Sequence, residues 1–448
     1  MNVRNENIPA EVRNTAKQAG EASPDKWDWV ERSVWTERML DALERGVKGN
    51  VWFSLFDKVC RPTTLNAAWC GVRANGGSAG SDHQSIADFE RDLEANLSRL
   101  EDELRTGMYR PRPIWRVYID KPGSKDKRPL GIPCVRDRVI QGALRLVIEP
   151  IFEREFSPVS FGFRPGLGCK DALREVDRLL KSGYIHVVDA DIKAYFDSIS
   201  HDLLMKELRK YIADGPVLKL LEAFLKADIL DAMNRWTPEG GTPQGAIISP
   251  LLANLYLHSV DLAMTEAGYR MIRDADDFVI LCQDQAEAQA ALALVDRLIE
   301  QKGLCLHPEK TKIVDLSEKG GAFDFLGYRF YRHTRWVRKK SISKLRDAIR
   351  KKTGRSNGRS LAAIIVDVNK TLVGWFEYFK HAGRRTFPQI DGWVRRRLRS
   401  ILRKRRKRQR GGISRGFDHI RWPNKFFHVR GLFNLENAYR SKFQSSSR

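Results

Sequence analysis

The chain has 448 residues, of which 42% are apolar, so it can form two to four domains with sizeable cores, and wholesale disorder is excluded. Its six cysteines form no CxxC pair and have no His at zinc-ligand spacing, which excludes a disulfide framework and a structural zinc site. The polar N-terminus and the lack of an apolar run of about 18 residues predict a soluble, cytoplasmic protein without a membrane partner.

The net charge of +23 is concentrated at one end of the chain. Residues 331–448 hold 34 Lys and Arg against 6 Asp and Glu, a net of +28, whereas residues 1–330 carry a net of −5. Such a surplus is tolerated where a polyanion neutralises it, which favours nucleic acid over a solubilising tail or an anionic membrane surface. Aromatic residues interleaved with the charge support a folded nucleic-acid-binding surface: Trp336, Trp375, Phe376, Tyr378, Phe379, Trp393, Trp422, Phe426 and Phe427.

The first third of the chain reads as helices followed by a basic hairpin. Residues 1–26 are predicted to be disordered, with helices within 35–56 and over 86–105 and a glycine-rich loop between them. A strand at 114–119, a cationic turn at 121–128 and an extended run at 129–133 follow. Asp137 is predicted to cap the next helix.

The middle of the chain mixes hairpins with helices, which predicts an α+β fold rather than a regular βαβ array. The predicted strands cover residues 184–191, 269–273, 278–282, 311–316 and 323–330. The predicted helices cover residues 201–211, 216–226, 249–266 and 285–302.

Acidic residues stand at the ends of two of these strands. Asp274, Asp276 and Asp277 lie between two apolar runs, which predicts a β-hairpin that presents carboxylates at its turn. Asp191 ends another strand, and together with Asp276 it would form a carboxylate cradle for Mg²⁺, as in enzymes of nucleotidyl transfer. A solvated turn is the alternative.

Four further positions fit the same chemistry. Phe196 follows Asp191 by five residues and is suited to stack under a nucleotide sugar, or is a core aromatic. Gln244, in a glycine-rich turn, offers an amide to a sugar or base. Lys121 and Arg128 flank the cationic turn and would grip a triphosphate, unless the turn is simply solvated, and Lys310 is a candidate proton donor to pyrophosphate.

An ordered series of seven motifs over about 210 residues resembles the group II intron reverse transcriptase/maturase family. The motifs are KPGSKDKRPLGIP (from Lys121), FGFRPGLGCKDA (from Phe161), DADIKAYFDSISHD (from Asp189), GGTPQGAIISPLLANLYLH (from Gly240), RDADDFVIL (from Arg273), LHPEKTK (from Leu306) and FDFLGYRF (from Phe323). The segments LVGWFEYFKHA and HIRWPNKFFHVRGLFNLE resemble the maturase thumb and C-terminal region.

The resemblance implies a right-hand polymerase with fingers, a palm built on an antiparallel sheet, and a helical thumb. Residues 27–110 would form an N-terminal extension, 111–331 the fingers and palm, 332–385 the thumb, and 386–448 a basic nucleic-acid-binding region. The chain matches endonuclease-lacking, bacterial members, so a nucleoid-associated protein is expected.

The family's functional residues map onto matching positions. Asp191, Asp276, Asp277 and Lys310 resemble the catalytic residues, and the Ile192 carbonyl would help to hold one of two Mg²⁺ ions, with Mn²⁺ as a substitute. Lys121, Arg128, Phe196 and Gln244 match the dNTP pocket. The primer grip would be Phe325, Leu326, Gly327 and Tyr328. The expected partners are structured RNA, DNA target or primer and dNTPs, with a dimer left open.

One position departs from the family pattern, which usually has Tyr where this chain has Asp274. One extra charge about 6 Å from a phosphate costs on the order of 3 kcal/mol before screening. The leading hypothesis is an active RNA-directed DNA polymerase that assists group II intron splicing and mobility. The alternatives are a polymerase-impaired splicing cofactor and an intron-independent reverse transcriptase in DNA repair or phage defence.

Residues 395–410 contain eleven Lys and Arg and no acid. A nuclear-localisation-like signal and a solvated helix face are alternatives, but Trp393, Leu398, Ile401 and Leu402 give this run an apolar side that would dock on the protein. Contact with a nucleic-acid backbone is therefore predicted for Arg395, Arg396, Arg397, Arg399, Arg403, Lys404, Arg405 and Arg406.

Overall fold

A computed structural model describes residues 27–47, 49, 51–120, 127–232, 234–407 and 417–444. The predicted disordered N-terminus and Lys121 lie outside these residues. The helices are α1 (Glu37–Arg45), α2 (Phe56–Val59), α3 (Pro62–Asn75), α4 (Ile86–Arg91), α5 (Leu93–Arg105), α6 (Val135–Glu155), α7 (Cys169–Lys181), α8 (Tyr195–Ser198), α9 (His201–Arg209), α10 (Gly215–Leu225), α11 (Ser249–Glu266), α12 (Gln285–Gln301), α13 (Lys339–Lys352), α14 (Leu361–Phe379), α15 (Thr386–Lys407), α16 (Asp418–Arg421), α17 (Asn424–His428) and α18 (Leu435–Gln444).

The strands form three sheets. They are β1 (Ile114–Asp120), β2 (Lys127–Ile132), β3 (His186–Asp191), β4 (Ile229–Asp231), β5 (Asn234–Trp236), β6 (Arg270–Asp274), β7 (Asp277–Cys282), β8 (Lys312–Asp315), β9 (Phe323–Phe325), β10 (Tyr328–Phe330) and β11 (Arg335–Val337). The strand orders are β2-β1-β4-β5, β6-β7-β3-β8 and β11-β10-β9. The mixed order of helices and hairpins confirms the α+β prediction.

The N-terminal helices pack around α6, which is buried along most of its length. The predicted helix over residues 86–105 is broken at Asp92, between α4 and α5. Asp137 was wrongly predicted as a cap. It lies within the first turn of α6. Its carboxylate is buried and accepts hydrogen bonds from the Tyr109 hydroxyl (2.6 Å) and the Arg112 backbone N–H (3.0 Å) instead of capping the helix.

The four-stranded sheet β6-β7-β3-β8 is antiparallel throughout and separates two cores. Side chains alternate along a strand, so Val188 and Ile280 face the larger core, which includes α6, α11 and α12. Val187 and Val279 face the smaller core, which includes α13, α14 and α15. The odd-numbered acids of β3 and β7 therefore lie on the face that is turned toward the C-terminal helices.

The predicted strand over residues 323–330 is instead a tight hairpin. Leu326 and Gly327 both have left-handed backbones (φ +45° and +84°), as in the two-residue turns that suit the twist of paired strands. The Tyr328 hydroxyl donates to the Tyr378 carbonyl (2.6 Å), which ties the hairpin to α14.

The aromatic residues of the basic region are core residues rather than an exposed binding face. Phe376, Phe379 and Phe427 are buried, and the other six are half-buried. They stabilise the packing of α13, α14 and α15 against one another. Among the residues that the structure describes, no helix combines the length and apolarity needed to cross a membrane.

Candidate active site

The predicted acidic hairpin is present. β6 and β7 pair with Asp274 opposite Asp277, and Ala275 occupies the turn with a left-handed backbone (φ +63°). β3 pairs with β7 so that Asp191 stands directly opposite Asp277. Opposed residues of an antiparallel pair share one face of the sheet, so Asp191 and Asp277 present their side chains together, with Asp276 in the adjoining turn.

The electrostatics of this cluster reflect crowded, poorly solvated carboxylates. Burial raises the pKa of Asp277 to about 7, and the neighbouring carboxylates of Asp189, Asp276 and Asp191 add to this rise. Burial also raises the pKa of Asp276, with Asp191 adding to it. Each pKa rise means that negative charge is stabilised incompletely by the surrounding protein, as expected where a cation belongs.

Lys310 reaches the cluster through a short antiparallel bridge between Ile192 and Leu306. The His307 backbone N–H donates to the Asp191 carbonyl (2.7 Å), and the chain then turns so that the Lys310 ammonium pairs with Asp191 Oδ2. The structure thus brings the predicted proton donor to the predicted metal ligand.

The donor set fits a hard divalent cation, since carboxylate and carbonyl oxygens are the ligands that Mg²⁺ prefers. Asp191, Asp276 and Asp277 supply more negative charge than the single ion pair from Lys310 offsets. In the described ranges, however, no three His, Cys, Asp or Glu side chains converge as a preformed metal cluster. The three acids lie at the adjoining ends of β3 and β7, and the Lys310 ammonium pairs with one oxygen of Asp191.

Two predicted dNTP-pocket residues meet across a loop. The Arg128 Nε donates to Gln244 Oε1 (2.5 Å), and the Gly131 backbone N–H donates to the Gln244 carbonyl (2.7 Å). Gly245 permits this close approach, because its φ is +116° and an added Cβ would lie 2.5 Å from the Gly131 carbonyl oxygen. Strand β2 and the glycine-rich loop therefore form one wall.

Phe196 lies beneath the same loop, in α8, with 8% of its surface exposed. Its carbonyl accepts a hydrogen bond from the Thr242 backbone N–H (2.7 Å). Phe196 is thus a core aromatic at the base of the loop, and its role in a nucleotide pocket stays a prediction.

The remaining predicted positions are those of the primer grip and Asp274. Phe325 and Tyr328 of the predicted primer grip are buried, and Leu326 and Gly327 form the turn between them. Asp274 contacts Gly162 and interacts with the Cys169 thiol at the start of α7. Burial raises the pKa of Asp274, and its Oδ2 has no hydrogen-bond partner among the described residues.

A buried ion pair behind the acidic turn escaped the sequence prediction. Arg273 is 1% exposed and donates to both carboxylate oxygens of Asp261 (2.7 and 2.5 Å), which is 0% exposed. Its remaining donor reaches the Ala275 carbonyl (2.9 Å) and Asn254 (3.0 Å). A cation inside an otherwise apolar strand was the available signal, but its acidic partner is on another element.

The basic helix α15 divides its cations between interior and surface. Arg399 is buried, and Arg397 and Arg403 pair with Thr353 and Asp418. Arg396, Lys404 and Arg405 are exposed, and Arg395 and Arg406 are half-buried. The apolar side docks as predicted, with Leu398 and Ile401 in the smaller core.

Two family models match the chain. Residues 119–330 match the reverse transcriptase (RNA-dependent DNA polymerase) family, and residues 342–417 match the group II intron maturase-specific domain. The first match contains the whole acidic cluster, and the second contains most of α13 and all of α14 and α15, which belong to the smaller core.

Two curated proteins and one solved structure are similar to parts of this chain. The group II intron-encoded protein LtrA of Lactococcus lactis subsp. cremoris is 34% identical over 247 residues, which cover 54% of this chain and 41% of LtrA. Protein YkfC of Escherichia coli K12 is 34% identical over 279 residues, covering 54% of this chain and 72% of YkfC. A solved partial Cas6-RT-Cas1-Cas2 complex aligns with a TM-score of 0.36 and 26% identity, covering 55% of this chain and 41% of that one.

The match spans less than half the length of LtrA but most of YkfC. Both domain matches follow one another in the order that the sequence motifs predicted. The chain belongs to the group II intron reverse transcriptase/maturase family.

Proposed function

We propose that this protein is an RNA-directed DNA polymerase that also binds and helps to fold a structured RNA, a group II intron. The observation that carries the proposal is the register of β3 and β7, which sets Asp191 opposite Asp277 beside the turn that holds Asp276. Three carboxylates from two distant segments, at the adjoining ends of β3 and β7, suit nucleotidyl transfer.

Reverse transcriptases use divalent metal ions such as Mg²⁺. Asp191, Asp276 and Asp277, with the Ile192 carbonyl, would hold two such ions. When bound, these ions supply activation of the primer 3′-hydroxyl and stabilisation of charge on the leaving pyrophosphate.

The chain's own residues bind and orient the nucleotide. Arg128, with its planar guanidinium, and Lys121 would bind the triphosphate, and Gln244 would contact the sugar or base. Phe196 would support the sugar ring from below. The Lys310 ammonium would give up its hydrogen bond to Asp191 and donate a proton to pyrophosphate.

The maturase role rests on the C-terminal third of the chain. Residues 342–417 match the maturase-specific domain, and the surplus of positive charge lies from residue 331 onward. A structured intron RNA is the polyanion that this surface would bind, and target DNA would supply the primer.

Primer extension on an RNA template with Mg²⁺ tests the polymerase role. Asp191→Asn and Asp276→Asn should each lower kcat by roughly a thousandfold or more, because each removes a charge that steers the ions. Asp347→Asn, at an exposed position of α13, is the matched control and should keep wild-type activity. Equal extension by Asp191→Asn and wild type would refute the assignment.

The second candidate, a splicing cofactor with an impaired polymerase, is favoured by Asp274. Its half-buried carboxylate adds a further negative charge near Asp276 and Asp277. Asp274→Tyr separates the two candidates. A gain in extension of more than about a hundredfold would favour the impaired enzyme, whereas a change within about tenfold would favour the polymerase.

A further inference from the structure

Phe163 combines backbone strain with solvent exposure. Its φ is +59°, a left-handed conformation that bulky L residues rarely adopt, and 54% of its surface is exposed. The ring therefore gains little from burial that would offset the unfavourable backbone. Strained residues of this kind cluster at sites where a ligand uses them.

The residues on both sides of Phe163 are fixed. The Arg164 guanidinium pairs with Glu153 (3.0 Å) and donates to the Ser157 and Ser160 carbonyls (2.8 Å each). Before Phe163, the Gly162 carbonyl accepts a hydrogen bond from the Asn254 amide (2.7 Å). The flanking contacts thus hold the strained conformation, and the exposed ring is presented on a rigid support.

The register of this segment places Phe163 at the acidic turn. Ser160 bridges Arg273 in parallel, and the Phe161 N–H donates to the Arg273 carbonyl (2.8 Å). Two residues after Ser160, a Cβ added at Gly162 would lie 2.4 Å from the Ala275 backbone nitrogen. Phe163 directly follows Gly162, so its backbone lies next to the acidic turn.

We propose that the Phe163 ring stacks on a nucleobase of the primer–template end that adjoins the acidic turn. The proposal rests on the proposed polymerase function, since it places the end of a nucleic-acid duplex beside Asp276. An exposed aromatic ring on a rigid support offers every base a π-face, which explains why the ring is not packed into the core. A base is favoured over an apolar protein partner, because the C-terminal part of the chain carries a surplus of positive charge that suits a polyanion.

The test makes two measurements on each variant. Fluorescence anisotropy gives the Kd for an RNA template annealed to a DNA primer, and an extension assay gives the rate of primer extension. Phe163→Leu should raise Kd by roughly 5- to 100-fold, the usual effect of losing one stacked base. Phe163→Trp should retain wild-type affinity. Phe53→Leu, at another exposed Phe (66%), is the matched control and should bind as wild type does.

Phe163→Gly distinguishes a ligand contact from a structural role. Glycine tolerates a positive φ, so this variant should keep or raise the melting temperature while binding as poorly as Phe163→Leu. A fall in both melting temperature and affinity for Phe163→Gly would overturn the proposal.

Abasic substrates identify the stacked base. Removing the partner base, from the primer terminus or from the templating position, should make wild type and Phe163→Leu bind equally; a persistent difference on both substrates would overturn the proposal.

Wild-type protein that binds with this dependence on Phe163 but does not extend primers would refute the polymerase and leave the stacking contact standing. Conversely, a Phe163→Leu variant that binds and extends primers as wild type does would refute the stacking contact and leave the polymerase standing.

Discussion

At the scale of single residues, Arg273 connects the buried interior to the acidic turn. Its guanidinium is fully desolvated and donates two hydrogen bonds to Asp261 and one to the Ala275 carbonyl. A buried pair of this kind adds little net stability compared with apolar residues, but breaking it leaves an unpaired charge in the core. We propose that it also positions Ala275, next to Asp276, through this hydrogen bond.

Removing one partner of this pair should destabilise the protein strongly. We expect Arg273→Met to lower the free energy of unfolding by about 3–5 kcal/mol, because Asp261 is left buried and charged. Urea unfolding followed by tryptophan fluorescence measures this change. Arg105→Met, which removes an exposed pair with Glu101, is the control and should cost less than about 1 kcal/mol.

The double variant Arg273→Met/Asp261→Leu separates stability from positioning. It should recover most of the lost stability, since neither buried charge remains. It should still extend primers at least about tenfold more slowly than wild type, because the Ala275 carbonyl has lost its hydrogen-bond donor. Wild-type extension by the double variant would show that Arg273 does not position the turn.

Asp137 gives a pH dependence that is separate from the acidic turn. Burial raises its pKa to about 6, although Tyr109 and Arg112 donate hydrogen bonds to it. A folded-state pKa above the unfolded value of 3.8 means that this residue favours folding below pH 3.8 and that its contribution is lost as the pH rises to about 6. The loss amounts to about 3 kcal/mol.

Asp137→Asn should therefore remove a defined part of the pH profile of stability. Between pH 4 and pH 6.5, the difference in unfolding free energy between wild type and variant should shift by about 2 kcal/mol in favour of the variant. Losing the hydrogen bonds of the Asp137 carboxylate changes the variant's unfolding free energy by the same amount at every pH. The test therefore uses only the change with pH in the difference between wild type and variant. Urea unfolding at half-unit pH steps measures it, and parallel curves would contradict the assignment.

At the scale of elements, the wall formed by β2 and the glycine-rich loop depends on one backbone contact. A side chain at Gly245 would meet the Gly131 carbonyl at 2.5 Å, and neither backbone can yield without moving Gln244 from Arg128. The geometry of the proposed nucleotide pocket is thus set by the packing of two elements.

Gly245→Ala should raise the KM for dNTPs by roughly 10- to 100-fold, because displacement of about 1 Å in a binding wall has effects of that size. Steady-state extension at varied dNTP concentration measures it. Gly268→Ala is the matched control, since Gly268 also has a positive φ (+84°) but an added Cβ would meet nothing within 4 Å. It should lower stability by about 1–2 kcal/mol and leave KM unchanged. Equal KM values in both variants would contradict the role of the loop.

The elements that the sequence predicted well are those with a strong local signal. The helix over residues 249–266 has the predicted bounds, and the acidic hairpin was recognisable from two apolar runs around a polar turn. The break at Asp92 and the turn at Leu326 were missed, because each lies within a continuous apolar pattern.

Most contacts between side chains that are distant in the sequence could not be predicted from the sequence. Asp137 was predicted to cap a helix because its local pattern fits a cap, but Tyr109 and Arg112 bind its carboxylate inside the fold. The Arg273–Asp261 pair is likewise decided by tertiary packing. By contrast, Asp191 was expected to meet Asp276, and the register of β3 and β7 sets Asp191 opposite Asp277, the residue next to Asp276.

At the scale of the whole molecule, one sheet joins the acidic cluster to the basic C-terminal helices. The face of β3 and β7 that carries Asp191 and Asp277 is continuous with the core that includes α14 and α15. Nucleic acid bound to the basic helices would therefore be held near the acids, which attract metal ions and repel the phosphate backbone. The basic C-terminal part of the chain would thus bind nucleic acid, and the acidic cluster would bind metal ions.

The exposed cations of α15 should control the salt dependence of nucleic-acid binding. Replacing Arg396, Lys404 and Arg405 with Gln should weaken RNA binding for all sequences alike and flatten the slope of log K against log salt by roughly 2, at about 0.7 per cation for single strands. Arg399→Gln is the matched control: its guanidinium binds the Trp422 carbonyl and Asn424, so this change should lower the melting temperature instead. Filter binding from 50 to 300 mM salt, on the order of the range in which counterion release dominates, gives the slope. An unchanged slope, or a loss confined to one RNA sequence, would mean that this face of α15 does not contact the phosphate backbone.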